Sequence, residues 1–150
     1  MRVRLDIENA AKSARTPPQS ELARWARAAL KGMRRARIAV SLRLVDEFES
    51  AELNKRYRRK KGPTNVLSFR FENPPGARSD LLGDVVICAP VVNREATDPV
   101  RSGRAHWAHV VVHGIMHLRG FDHENHKDAA VMEGKEAKIL KRLGFRNPYA

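Results

Sequence analysis

The chain has 150 residues and sets 29 Lys+Arg against 17 Asp+Glu, a formal net charge of +12. With 42% hydrophobic and 31% charged residues it can fill a core beneath a highly charged surface, which excludes a disordered chain or a bare basic tail. The longest uncharged apolar stretch, Val85 to Val92, spans eight residues with Pro90 inside it, far short of the ~20 of a spanning helix.

Charge at every second position from Arg2 to Asp6 also breaks the apolar run a signal peptide needs, so no export and no membrane anchor are expected. Cys88 is the only cysteine, which rules out an internal disulfide or a CxxC site and suits a reducing cytoplasm. The cations are 20 Arg and 9 Lys, a balance that favours planar, bidentate contacts with phosphate. A polyanionic partner follows from the charge, although charge alone does not choose among RNA, DNA, an acidic protein and an anionic membrane.

In chain order, residues 1–9 alternate Val3, Leu5 and Ile7 with charged residues, the period of a half-buried edge strand. After a Pro17-Pro18 turn, Leu22, Trp25, Ala26, Ala29, Leu30 and Met33 recur at helical spacing, with Ser20 as the expected cap. The outer face of that helix holds Arg24, Arg27, Lys31, Arg34 and Arg35, read as a solvated face with nucleic-acid contact as the minor alternative. Ile38 to Val45 predicts a strand, and Asp46 the cap of a helix through Phe48, Leu53 and Tyr57. Strands are expected over Val66–Phe71 and Gly83–Cys88, on either side of a Pro/Gly-rich turn around residues 73–79. From Arg104 to Leu118 the residues are apolar all round apart from histidines, which predicts a buried central helix, and a last amphipathic helix through Met132, Ile139, Leu140 and Leu143 stops at Gly144. The expected fold class is α+β: one domain over residues 1–150, with a small mixed sheet of about four strands packed against helices.

All six histidines fall between His106 and His126. His113 and His117 lie one helical turn apart on one face, and Gly120 ends the helix so that His123 can approach the same point. The offsets of 0, 4 and 10 with glycine at 7 match the ligand spacing of the metzincin string H-E-x-x-H-x-x-G-x-x-H. Three imidazoles without a carboxylate or thiolate suit one Zn²⁺ with an open fourth position, where a bound water's pKa falls to ~7, although another divalent transition metal would also be accepted. His106 and His109 read as core histidines satisfied by backbone carbonyls. Asp122 and His126 are candidates to orient a ligand or to cap the next helix. Where a zincin protease carries its general base this chain has Gly114, so peptide hydrolysis loses its main residue and phosphodiester chemistry, which cations can support, is favoured.

The run Lys55-Arg56-Tyr57-Arg58-Arg59-Lys60-Lys61 places six positive charges and one aromatic in seven residues, enough to grip phosphates and stack a base. Taken with Leu53-Asn54-x-x-Tyr57-Arg58, Pro63-Thr64-Asn65-Val66-Leu67-Ser68-Phe69, Leu82-Gly83-Asp84-Val85-Val86-Ile87 and the histidine string, it resembles the YbeY family of bacterial rRNA maturation factors, over roughly Leu42 to Leu143. The resemblance implies a single-domain, metal-dependent, single-strand-specific endoribonuclease of the cytoplasm, with roles at the 3′ end of the small-subunit rRNA and in ribosome quality control. It places the metal on His113, His117 and His123 and the catalytic arginine on Arg58, with Lys55, Arg56, Arg59, Lys60 and Lys61 as substrate-binding candidates. The implied partners are a ribosomal RNA precursor and the small ribosomal subunit with its assembly factors, and a monomer is expected. Two positions depart from the family pattern, Asn65 for an Asp and Lys61 for an acidic residue, which leaves a more basic groove. Attack by a metal-activated water and attack by the 2′-OH both stay open. So does the alternative of a zinc-stabilised RNA-binding assembly factor without nuclease activity.

Overall fold

Val3, Leu5 and Ile7 pack inward from β1 (Arg2–Asn9) while Arg2, Arg4, Asp6 and Glu8 face solvent, as their alternation predicts. In the computed structural model, which describes residues 1–76, 79–96 and 102–150, this strand is the edge of a four-stranded sheet ordered β1-β2-β4-β3. β2 (Arg37–Val45) and β4 (Leu81–Cys88) run parallel to it, and β3 (Val66–Arg70) pairs antiparallel with β4, so the sheet is mixed. The helices are α1 (Gln19–Leu30), α2 (Glu47–Arg58), α3 (Ala89–Glu95), α4 (Gly103–Leu118) and α5 (His126–Arg142). The chain is thus a small single α+β domain, as expected. Residues 77 and 78 of the expected Pro/Gly turn lie outside the described residues.

Two local expectations change. Ser20 does not cap α1; Pro18 occupies that position, and its carbonyl accepts from the Glu21 and Leu22 N–H groups at 3.0 and 3.2 Å. The fixed φ of Pro18 directs the chain into the helix before a serine side chain can act. Asp46 does sit at the cap of α2, but its carboxylate accepts from the Lys12 N–H at 3.0 Å and ties the loop after β1 to that helix. The aromatic residues of α2 face outward, Phe48 76% and Tyr57 59% exposed, because its buried face is the polar pair Ser50 and Asn54. Helix α3 escapes sequence pattern altogether: seven residues with Pro90 in the first turn are too short for a period to register.

The main core lies between one face of the sheet and helices α1 and α4, where Trp25, Leu30, Leu42, Leu44, Ile87, Ile115, Met116 and Leu118 are all buried. α5 packs on α4 through Met132, Ile139 and Leu140. A smaller cluster of Val45, Leu67, Val86 and Cys88, with Leu53 and Val91 against it, fills the other face beneath α2. Burial also pushes the Cys88 thiol up, so it stays protonated. Helix α4 is apolar all round because it is enclosed by sheet, α1 and α5, as its sequence predicts.

Gly114 sets how close α4 comes to the sheet. A Cβ there would lie 2.7 Å from Val85 Cγ1 and 3.0 Å from Val66 Cγ2, and the Ser68 hydroxyl donates to the Gly114 carbonyl at 2.8 Å. Neither valine is free to move, since both are held in paired strands. Gly114→Ala is therefore expected to destabilise the fold by about 1–3 kcal/mol, the usual cost of overpacking, even though alanine is the better helix former. Denaturant titration measures it; a more stable alanine variant would show that the close approach is not required.

Candidate active site

The C-terminal half of α4 carries His113 and His117 on its half-buried side. The helix ends where Gly120 adopts φ +97°, with the Gly120 N–H donating to the His117 carbonyl and the Phe121 N–H to the Met116 carbonyl. This left-handed turn, easy for glycine, reverses the chain and brings His123 back to the helix. One ring nitrogen from each of His113, His117 and His123 lies within 4.8 Å of the other two. Asp122 accepts the His123 N–H at 2.7 Å and steadies that loop, whereas His126 is the exposed first residue of α5 and does not join the cluster. Asn125 is the residue that caps α5, accepting from the Asp128 N–H at 2.8 Å.

Glu136, on α5, is fully buried and accepts from His113 Nδ1 at 2.7 Å. Burial alone would push its carboxyl up, but the histidines His109 and His113 outweigh that and hold it down at about 2, so it is a carboxylate. As an acceptor it keeps the proton on His113 Nδ1 and leaves the Nε2 lone pair turned toward His117. Nε2 of His113 and Nε2 of His117 are 3.2 Å apart. Burial, and then the neighbouring charges of His113 and His123, lower the His117 pKa and keep that imidazole neutral. Two imidazole nitrogens at this distance suit a shared cation, since tetrahedral coordination at 2.0–2.1 Å spaces ligand nitrogens about 3.3 Å apart. The donor set therefore fits one divalent transition metal.

His106 and His109 extend the same helical stripe but each meets a side chain through Nε2, not the backbone carbonyls expected of them. Buried His106 meets Glu95 through Nε2 at 3.0 Å, and the Asn65 amide donates to the same carboxylate at 3.1 Å. An aspartate at 65 would set two carboxylates face to face. His109 Nε2 is 2.9 Å from the Tyr149 hydroxyl but 3.8 Å from Glu136, beyond hydrogen-bond reach, so its pull on that carboxylate is electrostatic. The Tyr149 hydroxyl itself donates to Glu136 at 3.0 Å. Neither Glu136 nor Tyr149 was legible as part of the site, because only the packing of α5 and the C-terminal segment on α4 brings them to it.

The histidines open onto a cleft of about 860 Å³ whose opposite wall is the end of α2 and the strand β3. Of the basic run, Tyr57 and Arg58 line this cleft; Lys55, Arg56, Arg59, Lys60 and Lys61 are exposed and do not. Two buried side chains position Arg58. The Asn54 amide donates to the Gly62 carbonyl at 2.8 Å, and Ser50 Oγ both donates to the Thr64 carbonyl and accepts from its N–H, at 3.0 and 3.1 Å. These bonds fold the chain back at Arg59, a left-handed residue at φ 54°, and hold Arg58 facing β3. Arg70, at the end of β3, adds a second guanidinium beside Gly120 on the cleft wall. Sequence pattern marked it only as a strand residue. A larger cleft of about 1060 Å³, between α5 and the C-terminal segment, contains none of the three clustered histidines.

The model of a family described as "Endoribonuclease YbeY" matches residues 6–144. Endoribonuclease YbeY of Methylococcus capsulatus is 50% identical over 145 residues, covering 97% of this chain and 94% of that protein. The proteins of the same name from Nitrosococcus oceani and Coxiella burnetii are 47% and 44% identical, each with at least 98% of both chains covered. The solution structure of a Thermotoga maritima protein superposes with a TM-score of 0.61 at 27% identity, over 93% of this chain and 88% of that one. Agreement over almost the whole length in sequence and in fold leaves one assignment: the chain belongs to the YbeY endoribonuclease family.

Proposed function

We propose that this protein is a metal-dependent endoribonuclease that cleaves single-stranded segments of ribosomal RNA precursors, at the 3′ end of the small-subunit RNA and in ribosome quality control. The observation that carries this reading is that Arg58 and the three histidines, far apart in sequence, face each other across one open cleft. His113, His117 and His123 would hold the metal, with zinc the ion that best suits an all-imidazole set. When bound, such an ion supplies Lewis acidity at the phosphoryl group or activates a water. Its working place is the cytoplasm, as a monomer that meets the small ribosomal subunit and its assembly factors. Among the described residues no helix is long and apolar enough to cross a membrane.

The chain's own residues divide the remaining work. Arg58 and Arg70 offer planar forks to the scissile phosphate and stabilise the charge that grows on it. Tyr57, edge-on to Phe69 with ring centroids 5.1 Å apart, is held as an exposed ring on which a base can stack. The open cleft admits an unpaired strand without base-specific pockets. Glu136 does not face substrate; it orients His113.

Two outcomes are expected. Purified protein should carry about one divalent ion per chain, His117→Ala should abolish tight binding, and Glu136→Gln should weaken it by about 10–100-fold, the usual effect of losing a carboxylate that orients a ligating histidine. Elemental analysis and chelator competition measure this, and a His117→Ala protein with stoichiometric metal would remove the site as drawn. The metal-loaded enzyme should cleave a structured rRNA precursor and stop after chelation. Arg58→Lys, which keeps charge but loses the fork, should lower turnover by ~10²–10³ and RNA affinity much less. Arg56→Lys, on the exposed side of the same helix, should do neither. Wild-type protein that binds but never cuts would establish the assembly-factor reading instead.

A further inference from the structure

The arginines among the described residues fall into two groups. Some are used by the fold: Arg24 pairs with Glu21 and donates to the Leu143 carbonyl, Arg35 to the Ser79 carbonyl, Arg119 to the Ala29 carbonyl, and Arg43 joins Glu8 to Glu49. Others are not. Arg2 and Arg37 are exposed and have no carboxylate within ion-pair distance among the described residues. They are register partners on adjacent parallel strands, so both project to the same side of the sheet as direct neighbours. Like charges so placed disfavour the fold slightly.

Arg2 and Arg37 line a groove of about 530 Å³ at the start of β1 and β2, together with Arg4 and Arg27. Arg27 reaches it from α1, anchored by one N–H to the Val3 carbonyl at 3.3 Å, which leaves the rest of its fork exposed. Arg4 has only a loose contact with Asp6, 3.8 Å between two exposed groups, which is worth little. Asp80 is the one acid among the lining residues. Four forked cations with one carboxylate match a chain of phosphates rather than a single small anion, because repeated charge is needed to occupy them all.

The groove shares an end of the molecule with the cleft. Strands β1, β2 and β4 begin there, and antiparallel β3 finishes there at Arg70, which lines the cleft. The strand order places three inter-strand steps of about 4.8 Å, some ~14 Å in all, between β3 and β1. Arg119, next to cleft residue Gly120, donates to the Ala29 carbonyl near the end of α1, the helix that carries Arg27. We propose that the Arg2, Arg4, Arg27 and Arg37 groove is a second RNA-backbone site, which holds the phosphates of substrate strand that extends beyond the catalytic cleft. It rests on the endoribonuclease reading for its ligand, and it makes length, not sequence, the property of RNA that it recognises.

The test compares metal-loaded wild type with Arg2→Gln/Arg37→Gln on 2′-O-methylated single-stranded RNA of about 4 and about 16 nucleotides, by fluorescence anisotropy at several salt concentrations. Each phosphate contact releases about 0.7 counterion, so two lost contacts should flatten the salt slope for the longer RNA by about 1.4 and weaken its binding ~25-fold at about 0.1 M salt. Affinity for the short RNA should not change, which also shows that the variant is folded. Asp80→Asn should tighten the longer RNA. A control pair that removes the same charge on α5, Lys141→Gln/Arg142→Gln, should leave the slope as it is. An unchanged slope in Arg2→Gln/Arg37→Gln, or an equal loss in the control pair, would overturn the groove in favour of a diffuse basic field. Cleavage of unmodified RNA by the wild type is scored separately, so a protein that does not cut refutes the nuclease reading while the binding data still decide the groove.

Discussion

The approach of α4 to the sheet is the constraint on which the rest of the structure depends. At Gly114 the helix backbone lies directly against Val66 and Val85, and the Ser68 hydroxyl takes up the Gly114 carbonyl. This contact presents His113 and His117, on either side of that residue in sequence, to the cleft formed with β3. It also explains what occupies the place of a zincin's glutamate. A side chain at 114 would meet the sheet, not the substrate, so the position serves packing, and the acid that supports the histidines comes from another helix.

That acid, Glu136, is fully buried and is kept charged by imidazoles and a tyrosine hydroxyl rather than by an arginine. An uncompensated carboxylate there would be costly; the surrounding N–H and O–H donors offset its desolvation and lock the His113 tautomer at the same time. Because Tyr149 is one of these donors, the order of the clustered histidines is connected to the C-terminal segment. A second polar group, Asn65, Glu95 and His106, runs parallel to it along α4. The helix thus carries four histidines on one side, of which two face the cluster and two hold neighbouring elements.

On the surface, charge does unequal work. Arg43, Arg24, Arg35 and Arg119 tie strands, helices and loops together, and the Arg43 guanidinium beside Glu49 holds that carboxyl below its ordinary range. Arg94 and Glu47 similarly link α3 to α2. Arg58 is different: its neighbours Asn54 and Ser50 fix the backbone while the guanidinium itself stays exposed to the cleft. Net charge, which measures attraction to a polyanion, therefore says nothing about which cations are available to it.

Much of this was legible in the sequence because it depends on short-range order. Alternation in Arg2–Asn9 and the all-round apolar character of Gly103–Leu118 follow from the two backbone periods, and His113, His117 and His123 converge because four residues make one helical turn and Gly120 permits a reversal. Arg58 was found through a motif whose local logic is the buried Asn54. Tertiary structure alone decided the rest. The outward turn of Phe48 and Tyr57 depends on what α2 packs against, the exclusion of Lys55 and Arg56 from the cleft depends on which side of that helix meets β3, and Glu136, Arg70 and Tyr149 join the site across gaps of many residues. No periodicity encodes such distances: side chains from separate elements become neighbours only when the burial of a shared core sets how those elements sit against one another.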